Sequence, residues 1–156
     1  MSKKIILTWK DIERDIRKLA KELRKHNNFT KIVAVARGGL IPAYLLARAL
    51  GIKYIEVICM SHYNDTEMKS KVSVMPMSRK VDIRKNWLII DDLVDTGETA
   101  LLAQKYYPES KLAVLYKKPT SKVTPDFYLK EVEGWVVFPW ENMIFDDYKL
   151  KHLTNE

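Results

Sequence analysis

One stretch of the chain, residues 88–99, concentrates side chains that could hold a phosphorylated sugar. Apolar residues open it, the adjacent carboxylates Asp91 and Asp92 follow, and Asp95-Thr-Gly-Glu-Thr99 closes it where a helix is predicted to begin. Hydroxyls, a glycine and the unpaired amides of a helix start are groups that bind phosphate. Carboxylates bind phosphate poorly, so the Asp pair suits a sugar diol and Mg²⁺ instead. An Asp pair alone would indicate a solvated turn, but the whole pattern favours a site for a ribose and its phosphate.

A second turn with similar chemistry, Arg37-Gly38-Gly39, follows an apolar run. Its glycines let backbone amides approach an anion closely, and Arg37 supplies a cation. Taken by itself, the tripeptide fits a plain turn between a strand and a helix equally well.

Hydrophobic periodicity places both turns in an α/β fold. Apolar residues from Ile12 to Leu23 recur at the spacing of one helix face, so we predict a helix over 8–25, with Thr8 and Asp11 as its capping box. Strand-like runs and helical patterns then alternate, which predicts an open, mainly parallel sheet flanked by helices. We predict strands at 31–36, 54–60, 87–90, 112–116, 127–129 and 135–138, helices at 41–50 and 98–107, and a polar loop at 91–97. In such sheets ligands bind beyond the carboxyl ends of the strands.

Composition is that of one globular domain of 156 residues in which Lys and Arg exceed Asp and Glu by seven. This excess suits an anionic partner, whether nucleic acid, an anionic membrane or a phosphorylated small molecule. The basic residues are scattered, however, and we take most of them as ordinary surface. No apolar run approaches the ~18 residues of a membrane span. The single cysteine, Cys59, lies in an apolar run and is predicted to be buried and reduced. We expect a cytoplasmic protein, and peripheral contact with the inner membrane face stays open.

At this point the sequence resembles a known family. Residues 88–99 are similar to the signature with which type I phosphoribosyltransferases bind phosphoribosyl pyrophosphate (PRPP). The Arg37-Gly38-Gly39 turn, Lys118-Pro119 and Trp135 make the chain most similar to the bacterial xanthine-guanine branch of that family. The resemblance extends over residues 5–140. It implies a single domain, 1–156, with a small hood at about 61–86 and a purine-contacting segment at about 118–142.

The resemblance also implies roles for the residues around PRPP. The implied PRPP contacts are Arg37, Gly38, Gly39, Lys69, Asp91, Asp92, Asp95, Thr96, Gly97, Glu98 and Thr99. Within this set the turn at 37–39 binds pyrophosphate, the Asp91–Asp92 pair faces the ribose hydroxyls with Asp92 on the Mg²⁺ side, and 96–99 hold the 5-phosphate. Glu98 departs from the residues common in relatives, so we expect its side chain to point to solvent. Lys69, with Lys71 as its substitute, would reach PRPP from the hood.

For the purine, the resemblance implies four residues. Asp95 lies near N7 as the general acid and base, and Lys118 donates to the 6-oxo group. Trp135 stacks on the ring, and the backbone of Val136 contacts its edge. Judged from the residues alone, Trp135 could be a core aromatic and Lys118 a surface lysine. A lysine donor selects 6-oxo over 6-amino bases, so adenine should be rejected.

The activity so implied is Mg²⁺-dependent purine salvage. Ribose 5-phosphate moves from PRPP to xanthine, guanine or hypoxanthine, giving the nucleoside monophosphate and pyrophosphate, in a homodimer or homotetramer that needs no nucleic acid. Two alternatives remain: a transferase for another base such as adenine or orotate, and a PRPP-sensing regulator that binds RNA. The net charge permits the regulator, although the sequence has no RNP-like aromatic motif or compact basic stripe.

Overall fold

A six-stranded sheet forms the centre of the computed structural model, which describes residues 3–26, 28–60, 72–74 and 85–141. The elements are β1 (Lys4–Ile6), α1 (Trp9–Arg24), β2 (Lys31–Ala36), α2 (Leu40–Leu50), β3 (Tyr54–Met60), β4 (Val72–Val74), β5 (Trp87–Val94), α3 (Glu98–Tyr106), β6 (Lys111–Lys117), β7 (Lys130–Glu131) and β8 (Trp135–Val137). The strand order is β4-β3-β2-β5-β6-β7, and β1 pairs with β8 in a separate two-stranded sheet. Lys69, Lys71, most of the hood and everything after residue 141 lie outside the described residues.

The central strands pair in parallel, as their buried apolar runs predict. Ala34 of β2 faces Ile90 of β5, which in turn faces Ala113 of β6, and all three are buried. Among the described residues, the pairing of β3 with β4 is the only antiparallel one in this sheet. The predicted α/β sheet is therefore confirmed. Its carboxyl edge brings the ends of β2, β5 and β6 together.

Helices cover both faces of the sheet. On one face α1 buries an apolar stripe that includes Ile12, Leu19 and Leu23, each side chain contributing about 1.5–3 kcal/mol. Its capping box is present, since the amide of Asp11 donates to the Thr8 hydroxyl at 3.2 Å and the Thr8 amide donates to the Asp11 carboxylate at 2.9 Å. On the opposite face α3 packs against a second core. No helix in the described ranges is long and apolar enough to cross a membrane.

Three predictions about individual segments were wrong. Strand β5 does not end at residue 90 but continues through Asp91 and Asp92 to Val94, because its ladder with β6 continues to the Val94–Lys117 pair. In place of a strand at 127–129, the structure has an isolated bridge from Phe127 to Ala113 and the short β7. Cys59 is exposed, because alternate residues of β3 point to opposite faces and Cys59 lies opposite the buried Ile58. The sequence also gave no indication of β1.

Candidate functional site

The turn at residues 37–39 and strand β5 are in direct contact at the carboxyl edge of the sheet. The turn follows β2 through a cis peptide bond between Ala36 and Arg37. A Cβ added to Gly38 would lie 2.5 Å from a carboxylate oxygen of Asp92. Strands β2 and β5 are neighbours, so the two segments that the sequence marks separately form one surface.

At Gly39 a side chain is excluded by backbone atoms, whereas at Gly38 the obstacle is the Asp92 side chain. An added Cβ would lie 2.3 Å from the carbonyl oxygen of Ile90 and 2.7 Å from that of Val35. The Gly39 amide donates to the same Val35 carbonyl at 2.8 Å. From the sequence, both glycines were expected to let backbone amides approach an anion closely. The structure adds a second reason, which is that the turn packs against β5.

Asp91 and Asp92 form a half-buried pair of carboxylates beneath this turn. The Asp92 amide donates to the Asp91 carboxylate at 2.9 Å. Burial, and then the charge of Asp92, raise the pKa of Asp91 well above its usual range. Burial also raises the pKa of Asp92 to about 6, and the Glu141 carboxylate adds to that rise. Ionised carboxylates are therefore poorly stabilised here, and a bound cation or hydrogen-bond donors would relieve them.

Glu141 is a neighbour of Asp92 that the sequence argument missed. It closes a short turn in which its amide donates to the Phe138 carbonyl at 3.0 Å and its carboxylate accepts from the Phe138 amide at 2.9 Å. Because Glu141 is far from Asp92 along the chain, no residue spacing in the sequence predicts that the two are close. The end of the described chain thus adds negative charge beside the Asp pair.

The segment from Asp95 to Thr99 leads into the first turn of α3. Gly97 has φ +94°, and an added Cβ would meet the Val123 side chain at 2.6 Å, so only glycine fits there. Glycine offers no side-chain cap to the helix, and the Glu98 amide has only a long contact of 3.4 Å with the Thr96 hydroxyl. Asp95, Thr96 and Glu98 are exposed, as expected for the Glu98 side chain. The first amides of α3 are therefore placed to receive an anion.

The chain segment after β6 brings Lys118 beside this loop. The Lys118 amide donates to the Val94 carbonyl at 2.9 Å, and the Lys122 amide donates to the Thr96 carbonyl at 3.1 Å. Lys118 is half-buried, whereas its neighbour Lys117 is buried and paired with Glu131 at 2.7 Å. These bonds place Lys118 next to Asp95 across the ends of β5 and β6.

Trp135 and Val136 lie on the separate sheet of β1 and β8. Trp135 is 63% exposed, so it is not a core aromatic, whereas Val136 is buried. The described structure thus joins the predicted residues at 37–39, 91–92, 95–99 and 118 along one edge. It places Trp135 and Val136 on a second element.

The donor set at this edge fits Mg²⁺ shared with a ligand rather than a closed metal cage. Among the described residues, no group of three or more His, Cys, Asp or Glu side chains is arranged to hold a metal ion. Mg²⁺ commonly uses one or two carboxylates together with substrate phosphates and water. The two half-buried carboxylates, whose raised pKa marks poorly stabilised charge, suit that mode.

Comparison with known proteins agrees with this geometry. Residues 2–143 match the family described as the phosphoribosyl transferase domain. The chain is 40% identical over 141 residues to a xanthine-guanine phosphoribosyltransferase of Nitratidesulfovibrio vulgaris, a match that covers 88% of this chain and 85% of the relative. A purine phosphoribosyltransferase structure from Pyrococcus horikoshii superposes with a TM-score of 0.80 at 37% identity, covering 88% of this chain and 93% of that one. A Helicobacter pylori xanthine-guanine-hypoxanthine phosphoribosyltransferase, 22% identical, shares the fold with a TM-score of 0.78 over 94% of this chain and 99% of its own.

Proposed function

The chain belongs to the phosphoribosyl transferase family and is a purine phosphoribosyltransferase, and we propose that it transfers ribose 5-phosphate from PRPP to a 6-oxopurine (xanthine, guanine or hypoxanthine) and releases pyrophosphate. The observation that carries the proposal is the contact of the 37–39 turn with Asp92, 2.5 Å from the position of a Gly38 Cβ. PRPP carries phosphate groups at both ends of a ribose, and this edge offers two anion-binding loops with carboxylates between them. The name of the N. vulgaris relative supports xanthine and guanine as bases.

In this proposal each loop holds one part of PRPP. The open amides at the start of α3, with the hydroxyls of Thr96 and Thr99, bind the 5-phosphate. The Asp91–Asp92 pair accepts hydrogen bonds from the ribose hydroxyls. Arg37 and the amides of the glycine turn bind the pyrophosphate. Lys69 would add a cation from the hood, and it stays a prediction because it lies outside the described residues.

Mg²⁺ would be held by Asp92, with Asp91 beside it, together with oxygens of PRPP. When bound, the ion supplies positive charge that offsets the negative charge developing on the departing pyrophosphate. The protein's own part is to place two carboxylates at this point and to keep them half-buried.

The proposed chemistry is a substitution at C1 of the ribose. A ring nitrogen of the purine forms the new bond to C1, and the bond from C1 to the pyrophosphate oxygen breaks with its electron pair leaving on pyrophosphate. Positive charge that develops at C1 is favoured by the nearby Asp91 and Asp92. Asp95, exposed at the mouth of the site, takes the proton that the purine loses.

Selection of the base is proposed to rest on Lys118 and Trp135. The Lys118 ammonium has donors and no acceptor, so it pairs with a 6-oxo group and not with a 6-amino group. Trp135 offers an exposed ring on which a purine can stack, and the buried Val136 presents its backbone beside it.

We further propose that residues 1–156 work as a single cytoplasmic domain that assembles into a homodimer or homotetramer. Leu40 and Tyr44, one helical turn apart on α2, are 40% and 58% exposed and offer an apolar contact for a second copy. A single monomeric species on a sizing column at micromolar concentration would contradict the assembly.

The function is tested by nucleotide formation from PRPP with xanthine, guanine, hypoxanthine, adenine and orotate, each with Mg²⁺ and with EDTA. Product with 6-oxopurines alone, abolished by EDTA, is the expected result. Product with adenine or orotate would show that the base site is misassigned. Binding of PRPP without product from any base would favour the regulator instead.

A further inference from the structure

Gly134, immediately before the exposed Trp135, occupies a position that no other residue can fill without moving the backbone. Its φ is +92°, in the left-handed region. A Cβ added to Gly134 would lie 1.9 Å from the carbonyl oxygen of Lys3 and 2.9 Å from its carbonyl carbon. The obstacle is main chain, so it cannot be relieved by a side-chain rotation. Gly134 therefore allows the start of β1 to approach β8 closely.

The same Lys3 carbonyl fixes the backbone of Trp135. The Trp135 amide donates to it at 2.8 Å, and Lys4 is the Cα partner of Trp135 in the β1–β8 pair. At the other end of this pair the Leu7 amide donates to the Val137 carbonyl at 3.0 Å. In the two-stranded sheet the direction of the Trp135 side chain thus depends on β1.

Two apolar side chains are exposed on one face of this small sheet, since Trp135 and Ile6 are each 63% exposed. The register places the exposed Lys4 and the buried Val137 on the same face, and the buried Val136 on the other. Because an exposed tryptophan has few packing contacts, the orientation of its ring depends on how its backbone is held.

We propose that Gly134 is a positioning residue for purine binding. By admitting the Lys3 carbonyl against β8, it holds Trp135 in the orientation in which its ring stacks on the base. This assignment rests on the proposed function, because it concerns how that site receives its purine. The N-terminal segment would thus take part in purine binding through the backbone carbonyl of Lys3 rather than through a side chain.

The test compares Gly134→Ala with Gly51→Ala. Gly51 also has a positive φ, +73°, but nothing lies within 4 Å of its added Cβ. Both variants carry the cost of a left-handed alanine, and only Gly134→Ala meets the Lys3 carbonyl. We expect the KM for the purine to rise about 10-fold in Gly134→Ala, equivalent to about 1.4 kcal/mol. The KM for PRPP should stay within about twofold of wild type, and Gly51→Ala should leave both values unchanged.

A truncation in which an initiating Met replaces residues 1–4 separates positioning from folding. It removes the Lys3 carbonyl while Gly134 remains, so it should raise the purine KM by a similar factor. Adding Gly134→Ala to the truncated chain should then have little further effect, since the obstacle is gone. Should Gly134→Ala fail to fold by thermal melting, the truncation alone decides the question.

Equal purine KM in Gly134→Ala, Gly51→Ala and wild type would overturn the assignment and leave the proposed function standing. An effect of Gly134→Ala that persists at full size in the truncated chain would also overturn it. Failure of the wild-type protein to form nucleotide with any base refutes the proposed function itself, and with it the assignment.

Discussion

Replacing Gly38 by Ala tests the contact that joins the two halves of the site. The new Cβ would lie 2.5 Å from an Asp92 oxygen, whereas an ordinary contact needs at least 3.4 Å. The Asp92 carboxylate must therefore move by about 0.9 Å, and a misplacement of about 1 Å can lower catalysis about 100-fold. Because the obstacle is the end of a side chain, the fold itself should survive. We expect kcat/KM for PRPP to fall about 100-fold with only a small change in Tm.

Gly39→Ala is the matched comparison because its obstacle is backbone. The added Cβ would lie 2.3 Å from the Ile90 carbonyl oxygen, inside the central sheet. Overpacking of this kind destabilises a protein by about 1–3 kcal/mol or more, which lowers Tm by roughly 2–4 °C for each kcal/mol in a chain of this size. Both variants are assayed by initial rates at varied PRPP and by thermal melting in the same buffer.

The two variants should therefore differ in the property that they lose. Gly38→Ala should lose activity while keeping its melting temperature, and Gly39→Ala should lose its melting temperature first. If Gly38→Ala keeps wild-type kcat/KM for PRPP, then Asp92 and the 37–39 turn do not act on one ligand, and the proposed PRPP site is wrong.

Three further predictions concern single side chains. Asp95→Asn should lower kcat at least ~100-fold while PRPP still binds in a calorimetric titration, because only the proton acceptor is lost; unchanged turnover would remove Asp95 from the mechanism. Tyr107→Phe deletes the 2.7 Å hydrogen bond to the buried Glu56 carboxylate, so it should lower the free energy of unfolding in urea by about 1–3 kcal/mol. The control is Tyr106→Phe at an exposed position, which should change that free energy by less than about 0.5 kcal/mol. Asp92→Asn should abolish most activity yet raise Tm at pH 8 without ligands, because burial raises the pKa of Asp92 to about 6, so that its carboxyl destabilises the fold increasingly between about pH 4 and 6 and fully above about 6. That gain in Tm should disappear below about pH 4, where the carboxyl is neutral in both states, and a gain that does not depend on pH would show that charge is not its cause.

Local sequence patterns were sufficient to predict the helices and strands that are stabilised by local interactions or are fully buried. The β-branched run at 31–36 becomes β2 with the predicted bounds, and 54–60 becomes β3. The helix predicted over 8–25 differs from α1 by one residue at each end. These segments carry their own signal, either a helical apolar stripe with a cap or a continuous apolar run.

Elements that depend on distant partners could not be predicted in this way. Strand β1 has three residues and forms only because β8, far along the chain, pairs with it. The last half of β5 begins with two aspartates and stays in the sheet because β6 continues the ladder beside it. Cys59 lies in an apolar run, but which face of β3 is covered depends on the packing of other elements.

The site shows the same division between local and distant information. The loop at 95–99 and the turn at 37–39, which are proposed to bind phosphate and pyrophosphate, were each predicted from their own residue types. The contact of Gly38 with Asp92 follows from a strand order in which β5 lies beside β2, and neither motif predicts that order. Glu141 reaches Asp92 only through the turn that follows β8, which no spacing rule predicts.

The most direct test of the central claim is the ratio of kcat/KM for hypoxanthine to kcat/KM for adenine, measured at saturating PRPP and Mg²⁺. If Lys118 pairs with a 6-oxo group, hypoxanthine should be preferred at least about 100-fold, and Lys118→Met should bring the ratio close to one. A wild-type ratio near one, or in favour of adenine, would contradict the assignment of this protein to 6-oxopurines.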